Sequence, residues 1–199
     1  MPNSIAIFCG SALGQLPIYA EQAAEVGQAI AKQGKTLVYG GGRSGLMGIV
    51  ADHALQAGGR VIGVMPHLLV DQELAHPDLT ELHIVENMTV RKQMMSDLAD
   101  AFIALPGGAG TLEEIFEQWT WLQLGIHRKA CAFLNVENYY TDLIHFLKHS
   151  ANQEFTHSRF VENLIVSTSV HDILNQFEQY TPPQMKWEME KKMSKVAQS

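Results

Sequence analysis

Cysteine is scarce in this chain: Cys9 and Cys131 are the only two among 199 residues, and each sits inside a short apolar run. Small thiols in such runs are expected as buried, free side chains. A chain that does without disulfides suits the reducing cytoplasm, which is the expected location. Long hydrophobic runs are missing too. No stretch approaches the roughly 18 to 20 apolar residues of a membrane span. The first apolar run ends by Gly10 with no cationic leader before it, so a soluble, unexported protein without a membrane partner is expected. Positive charge is in short supply, with 14 Lys and Arg against 21 Asp and Glu and a formal net charge of −7. That balance argues against non-specific attraction to nucleic acid, and any phosphate site must therefore be local. Nine histidines are present, but only His145 and His149 stand one helical turn apart with no third ligand at suitable local spacing, so no metal is expected. Gly-x-Ser-x-Gly and Walker patterns are absent, and neither cysteine has a histidine close in sequence.

What the chain does have is regular alternation. A hydrophobic content of 46% over 199 residues is enough for one well-filled domain. Short apolar strands are expected at 5–9, 36–39, 61–64, 82–85, 101–105, 130–134 and 164–167. Helical spacing lies between most of them, at 17–32, 46–57, 87–98, 111–124 and 138–150, with a last helix at 170–180. Strands apolar on both faces and alternating with helices imply a parallel sheet covered on both sides. The expected fold is α/β, a Rossmann-like doubly wound parallel sheet of about seven strands. Thr181-Pro182-Pro183 then breaks the pattern, dividing a domain at 1–180 from a tail at 181–199 in which Met185, Met189, Met193 and Val196 have helical spacing.

In doubly wound sheets ligands bind beyond the carboxyl ends of the strands, where the turns after Cys9, Tyr39 and Leu105 would gather. Gly10 and Ser11 follow the first strand. Gly40, Gly42 and Gly45 follow the second and satisfy G-x-G-x-x-G, the spacing of a dinucleotide loop. This is the wrong strand for that fingerprint, however, and the third strand ends without an acid to hold a ribose. A phosphate or nucleotide-edge contact through Gly41, Gly42 and Arg43 is the better reading. After the fifth strand comes Pro106-Gly107-Gly108-Ala109-Gly110-Thr111-Leu112-Glu113-Glu114. Three glycines in four positions leave no side chains to keep an anion from the backbone N–H groups and the helix that follows. Thr111 can cap that helix, with Glu114 placed to complete a capping box, and its hydroxyl can equally donate to a phosphate oxygen. Glu113 and Glu114 diverge by about 100° on a helix, so they are not a facing carboxylate pair. In the helix starting near Asn87, Arg91 begins a stripe continued by Met94, Met95 and Leu98, which places a guanidinium among buried residues and calls for an anionic partner. Lys92 lies about 100° round, closer to solvent.

The run from Pro106 to Glu114 matches P-G-G-x-G-T-x-x-E and resembles the LOG family, cytokinin riboside 5'-monophosphate phosphoribohydrolases long described as lysine decarboxylases. The similarity extends over 5–180, through Gly40-Gly41-Gly42, Gly45-Leu46-Met47-Gly48, Met88 with Arg91-Lys92, and 121–127. The resemblance implies hydrolysis of the N-glycosidic bond of an adenosine 5'-monophosphate, N6-modified or plain, without a cofactor. It makes Arg91 and Glu114 catalytic, with Arg91 also facing the 5'-phosphate. It also makes Glu73, Arg91, Lys92, Gly107, Gly108, Ala109, Gly110, Thr111, Leu112, Glu113, Glu114 and Thr120 substrate contacts. Ala109 occupies the variable position, where plant members often carry an aromatic residue. Thr120 is about 120° round the helix from Glu114, so a site shared across a homodimer is inferred; Trp119, Trp121 and Leu122 would then form part of the apolar contact, although core packing is the default for such residues. A decarboxylase would need a pyridoxal phosphate lysine, for which Lys92 is the one candidate. A binding or sensing module without chemistry is the competing reading, and a nicotinamide-dependent oxidoreductase is a third.

Overall fold

The computed structural model describes residues 1–72 and 74–185. Seven strands are formed: β1 (Ser4–Phe8), β2 (Thr36–Tyr39), β3 (Val61–Pro66), β4 (Glu81–Val85), β5 (Ala101–Ala104), β6 (Ala130–Leu134) and β7 (Ile165–Ser167). They pair in the order β4-β3-β2-β1-β5-β6-β7, every neighbour parallel. The helices are α1 (Pro17–Lys32), α2 (Gly45–Gln56), α3 (His67–Val70), α4 (Met88–Leu98), α5 (Ala109–Leu124), α6 (Thr141–Asn152), α7 (Ser158–Glu162) and α8 (Val170–Glu178). The expected α/β doubly wound sheet is thus observed. The short α3 and α7 were not foreseen, being too brief to show a helical period.

Alternation along each strand sends successive side chains to opposite faces. Ile5, Ile7 and Cys9 join Leu37, Tyr39 and Val61 in a core closed by α1, α2 and α8. Ala6 and Phe8 join Val38, Val64 and Phe102 in a second core closed by α4, α5, α6 and α7. A fully buried Ile or Phe in these layers contributes about 1.5–3 kcal/mol. The chain first winds from β1 outward to β4, then returns to lay β5 against the other side of β1. A crevice opens where the winding reverses.

Local chemistry sets the ends of the elements that flank this crevice. Asn87 caps α4, its side-chain oxygen accepting from the N–H of Thr89 and of Val90, each at 3.0 Å. Gly125 takes the left-handed conformation (φ 74°) and closes α5, its N–H donating to Leu122 O at 3.1 Å. Among the described residues between α3 and β4 there is no helix or strand, and His76 ties this part of the chain down. The His76 N–H donates to Gly41 O at 2.9 Å, Nδ1 accepts from the Asp78 N–H at 3.2 Å, and Nε2 meets Asp52 Oδ1 at 3.0 Å. Because Nδ1 accepts, the ring proton resides on Nε2 and donates to Asp52. Of the expected tail helix, Met189, Met193 and Val196 lie outside the described residues; Met185 stands over Gly125.

Candidate active site

Three loops meet at the crevice: Gly10 and Ser11 after β1, 40–44 after β2, and 105–108 after β5. The Gly10 N–H donates to Pro106 O at 3.1 Å and Gly10 O accepts from the Leu46 N–H at 3.1 Å, so the first loop is stitched to both others. The third loop turns directly into α5, whose first residue is Ala109. This corrects the expected cap. Gly108 is the N-cap and has no side chain to offer, while Thr111 is already inside the helix and buried. Its hydroxyl lies where a Gly107 side chain would be, 2.1 Å from the position of an added Cβ. The amides of Ala109, Gly110 and Thr111, which a first turn leaves without helical partners, therefore remain available to an anion.

Glu114 stands one turn further on and meets the buried arginine. Arg91 Nη1 lies 3.2 Å from Glu114 Oε1, with the two side chains only 10% and 12% exposed. The rest of the guanidinium is also fixed, since Nε donates to Val64 O at 3.1 Å and Nη2 rests on Gly40. A methyl group on Gly40 would come within 1.9 Å of Nη2. Burial pushes the Glu114 carboxyl above the ordinary glutamate range, with Glu113 and Glu117 adding to the effect and Arg91 and Lys92 opposing it. Lys92 does not line the crevice. Its ammonium pairs closely with Glu113 and lies 3.0 Å from Glu117 Oε1, which binds α4 to α5.

Two clefts join at Ser11, Met47 and Arg91. One, of about 390 Å³, runs from Ser11 along 108–111 to Glu114. The other, of about 440 Å³, has an apolar wall of Met47, Met65, Leu69 and Leu74 beside Gly42 and Arg43. Cys9 borders the first cleft, but burial, with Glu114 adding to it, holds its thiol far above its ordinary pKa, so it is no thiolate nucleophile.

Most of the expected residues converge here. Gly10, Ser11, Arg91, Gly108, Ala109, Gly110, Thr111, Glu113 and Glu114 line the first cleft, and Gly42 and Arg43 the second. Others do not. Gly41 is buried, and its carbonyl is taken by His76. Gly107 faces a smaller pocket behind the loop, and Leu112 packs on the core. Thr120 is exposed on α5, away from both clefts. Trp119 and Leu122 are 5% and 4% exposed inside the chain's own core, which removes them from the inferred dimer contact. Glu73 lies outside the described residues. The sequence reading missed Gly40 as the seat of Arg91 and the apolar wall of the second cleft. The glycine directly before Gly41-Gly42 was the available signal for the former.

A family model described as possible lysine decarboxylase matches residues 47–177. A cytokinin riboside 5'-monophosphate phosphoribohydrolase of Rhodococcoides fascians is 48% identical over 155 residues, covering 77% of this chain and 78% of that protein. The chain belongs to the LOG family. A LOG protein of Arabidopsis thaliana with the same enzyme name is 42% identical over 179 residues, 89% of this chain and 82% of its own length. The solved molybdenum cofactor binding protein of Rippkaea orientalis shares the LOG fold at a TM-score of 0.68, covering 88% of this chain and 95% of its own, with 20% identity. Within the run 106–114 that carries the resemblance in the sequence, Gly108 to Thr111 with Glu113 and Glu114 line the first cleft.

Proposed function

We infer that this protein hydrolyses the N-glycosidic bond of adenosine 5'-monophosphates, N6-modified or plain, releasing the free base and ribose 5-phosphate. The observation that carries the reading is the buried Arg91–Glu114 pair, one turn inside a helix whose first amides open on the same cleft. The 5'-phosphate sits on the amides of Gly108, Ala109, Gly110 and Thr111, where the helix dipole favours negative charge. The ribose then lies along Glu114, and the base reaches past Arg91 into the cleft walled by Met47, Met65, Leu69 and Leu74. Breaking the bond from C1' to the base nitrogen leaves positive charge on the ribose, which an ionised Glu114 stabilises at close range in a dry site. A water attacks C1', its oxygen bonding to the carbon while its proton passes to Glu114; the base departs with the bonding pair and takes a proton from solvent, and Glu114 returns the proton it received to solvent. Arg91 favours the ionised form of Glu114, opposing the effect of burial, and fixes its direction. Phosphate contacts remote from the broken bond supply binding energy for that alignment.

The relatives' enzyme names support this reading and specify N6-modified nucleotides as the first substrates to try. Thr120 and the α5 face around it serve a second copy of the chain in a homodimer, bringing a substrate contact from one protomer to its partner's cleft. The two free, buried thiols fit residence in the cytoplasm. No helix among the described residues is long and apolar enough to cross a membrane.

The test is base release, followed by chromatography, from AMP and from isopentenyladenosine monophosphate, with Glu114→Gln in parallel. Free base from the parent and none from the variant supports hydrolysis, and the ratio between substrates gives the preference. Binding of both nucleotides without cleavage would replace the hydrolase by a sensing module.

A further inference from the structure

The glycine loop is held from behind by two consecutive tyrosines on the connection between β6 and α6. That connection turns through Glu137 (φ 47°) and Asn138 (φ 61°), two successive non-glycine residues in the left-handed region. Such a turn persists only where its surroundings enforce it. Asn135 does so, its Oδ1 accepting from the Tyr140 N–H at 2.7 Å and its Nδ2 donating to Thr141 Oγ1 at 3.1 Å. The outcome is a pair of phenols aimed at one stretch of backbone. The Tyr140 hydroxyl donates to Leu105 O at 2.5 Å, and the Tyr139 hydroxyl donates to Gly107 O at 2.7 Å. Pro106 O already accepts from the Gly10 N–H, and Gly108 O accepts from the Leu112 N–H at 3.2 Å. Four consecutive carbonyls, from Leu105 to Gly108, are thus engaged.

Peptide planarity gives this arrangement its consequence. In a trans peptide the carbonyl and the next N–H point in opposite directions, so fixing Gly107 O toward Tyr139 aims the Gly108 N–H away from Tyr139. Tyr139 stands in the small pocket behind the loop, its ring edge-on to Tyr19 with centroids 5.9 Å apart. Gly108 borders both that pocket and the catalytic cleft.

We propose that Tyr139 and Tyr140 are positioning residues for the substrate phosphate: their hydroxyls preset the loop so that its amides meet the anion without rearrangement. The proposal rests on the phosphate placement given above. Neither residue is catalytic, and neither touches the base.

The test compares parent, Tyr139→Phe, Tyr140→Phe and the double variant for nucleotide hydrolysis, and for competitive inhibition by ribose 5-phosphate and by adenine. Tyr139→Phe should raise KM and the inhibition constant of ribose 5-phosphate about tenfold, the scale of one lost hydrogen bond on a preorganised loop. The inhibition constant of adenine should stay within about twofold. The double variant should cost less than the product of the two single effects, because both hydroxyls act on one loop. Unchanged ribose 5-phosphate inhibition in Tyr139→Phe overturns the proposal, as does equal weakening of adenine. Tyr139 is half exposed, so that variant remains informative even if Tyr140→Phe fails to fold. Ribose 5-phosphate that does not compete in the parent overturns the phosphate placement itself, and the proposal with it.

Discussion

Replacing Gly40 by alanine tests the site through a single methyl group. Gly40 has no left-handed φ, so alanine is compatible with its backbone, and the perturbation is confined to what the new carbon meets. It meets Arg91 Nη2 at 1.9 Å. Restoring ordinary contact requires the guanidinium to retreat by about 1.5 Å. Nη1 and Nε cannot both keep their bonds to Glu114 and Val64 O through a shift of that size. Misplacement on this scale costs about 10²-fold in rate, or about 2.7 kcal/mol of transition-state stabilisation. Steady-state kinetics on isopentenyladenosine monophosphate should show the loss in kcat/KM, with a two-state melt beside it to establish folding. Because the effect runs through Arg91, Gly40→Ala added to Arg91→Lys should cost little beyond Arg91→Lys alone. Parent-like kcat/KM in a folded Gly40→Ala protein, or fully additive losses in the double variant, would refute the reasoning.

Glu114→Gln should lower kcat by about 10³-fold, and the parent's rate should fall on the acid side with an inflection above 4.5, the ordinary glutamate value. Linkage fixes the sign for stability. A carboxyl whose folded pKa is raised holds its proton more tightly when folded, so stability declines as pH rises from 4.5 through the folded value, and pH-dependent melts of Glu114→Gln should lack that decline. His76→Leu strands the Asp78 N–H and loosens the segment that carries Leu74; a loss of about 1–3 kcal/mol in urea melts and a raised KM are expected, and an unchanged midpoint would count against the tether. Among the described residues the buried Tyr39 hydroxyl has no hydrogen-bond partner, so Tyr39→Phe should be neutral or stabilising by up to about 1 kcal/mol, and a clear destabilisation would reveal a bond to that hydroxyl. His127 is held down to about 4 by burial and then by Lys129, so stability should drain as pH falls from 6.5 toward 4, a trend that His127→Asn should flatten in acid melts.

The strands were legible because burial on both faces writes continuous apolar runs, and Arg91 because a lone cation in the stripe with Met94, Met95 and Leu98 has to be paired. That its partner is Glu114 rather than a ligand alone depends on the return crossover that sets β5 beside β1, which no local pattern encodes. The start of α5 was misplaced for a physical reason. Thr111 with Glu114 has the composition of a capping box, yet Gly108 and Gly110 let the helix begin earlier, and the burial that draws Glu114 to Arg91 outweighs a cap. Trp119 and Leu122 have the core as their default place, as observed, yet an interface stayed open beside it because helical spacing gives a face but not what covers it. His76, Tyr139 and Tyr140 were invisible for a related reason: each acts through backbone carbonyls or amides, which leave no trace in side-chain chemistry.

The adjacency of β1 and β5 bears on how this protein acquires activity at all. Ile5 lies beside Ala101 and Phe8 beside Ala104, partners separated by nearly half the chain, and the link from Gly10 to Pro106 continues that pairing into the cleft. All the elements from α1 to α4 separate them in sequence, so the chain must close a loop of that length before the two loops can meet. Contacts of such separation are the slow ones in folding. An amino-terminal piece ending before β5 lacks Glu114 and the 106–114 run, and the remainder lacks Arg91, so neither makes a working site, and in refolding the return of base release should follow the last long-range contact rather than the earlier return of helix.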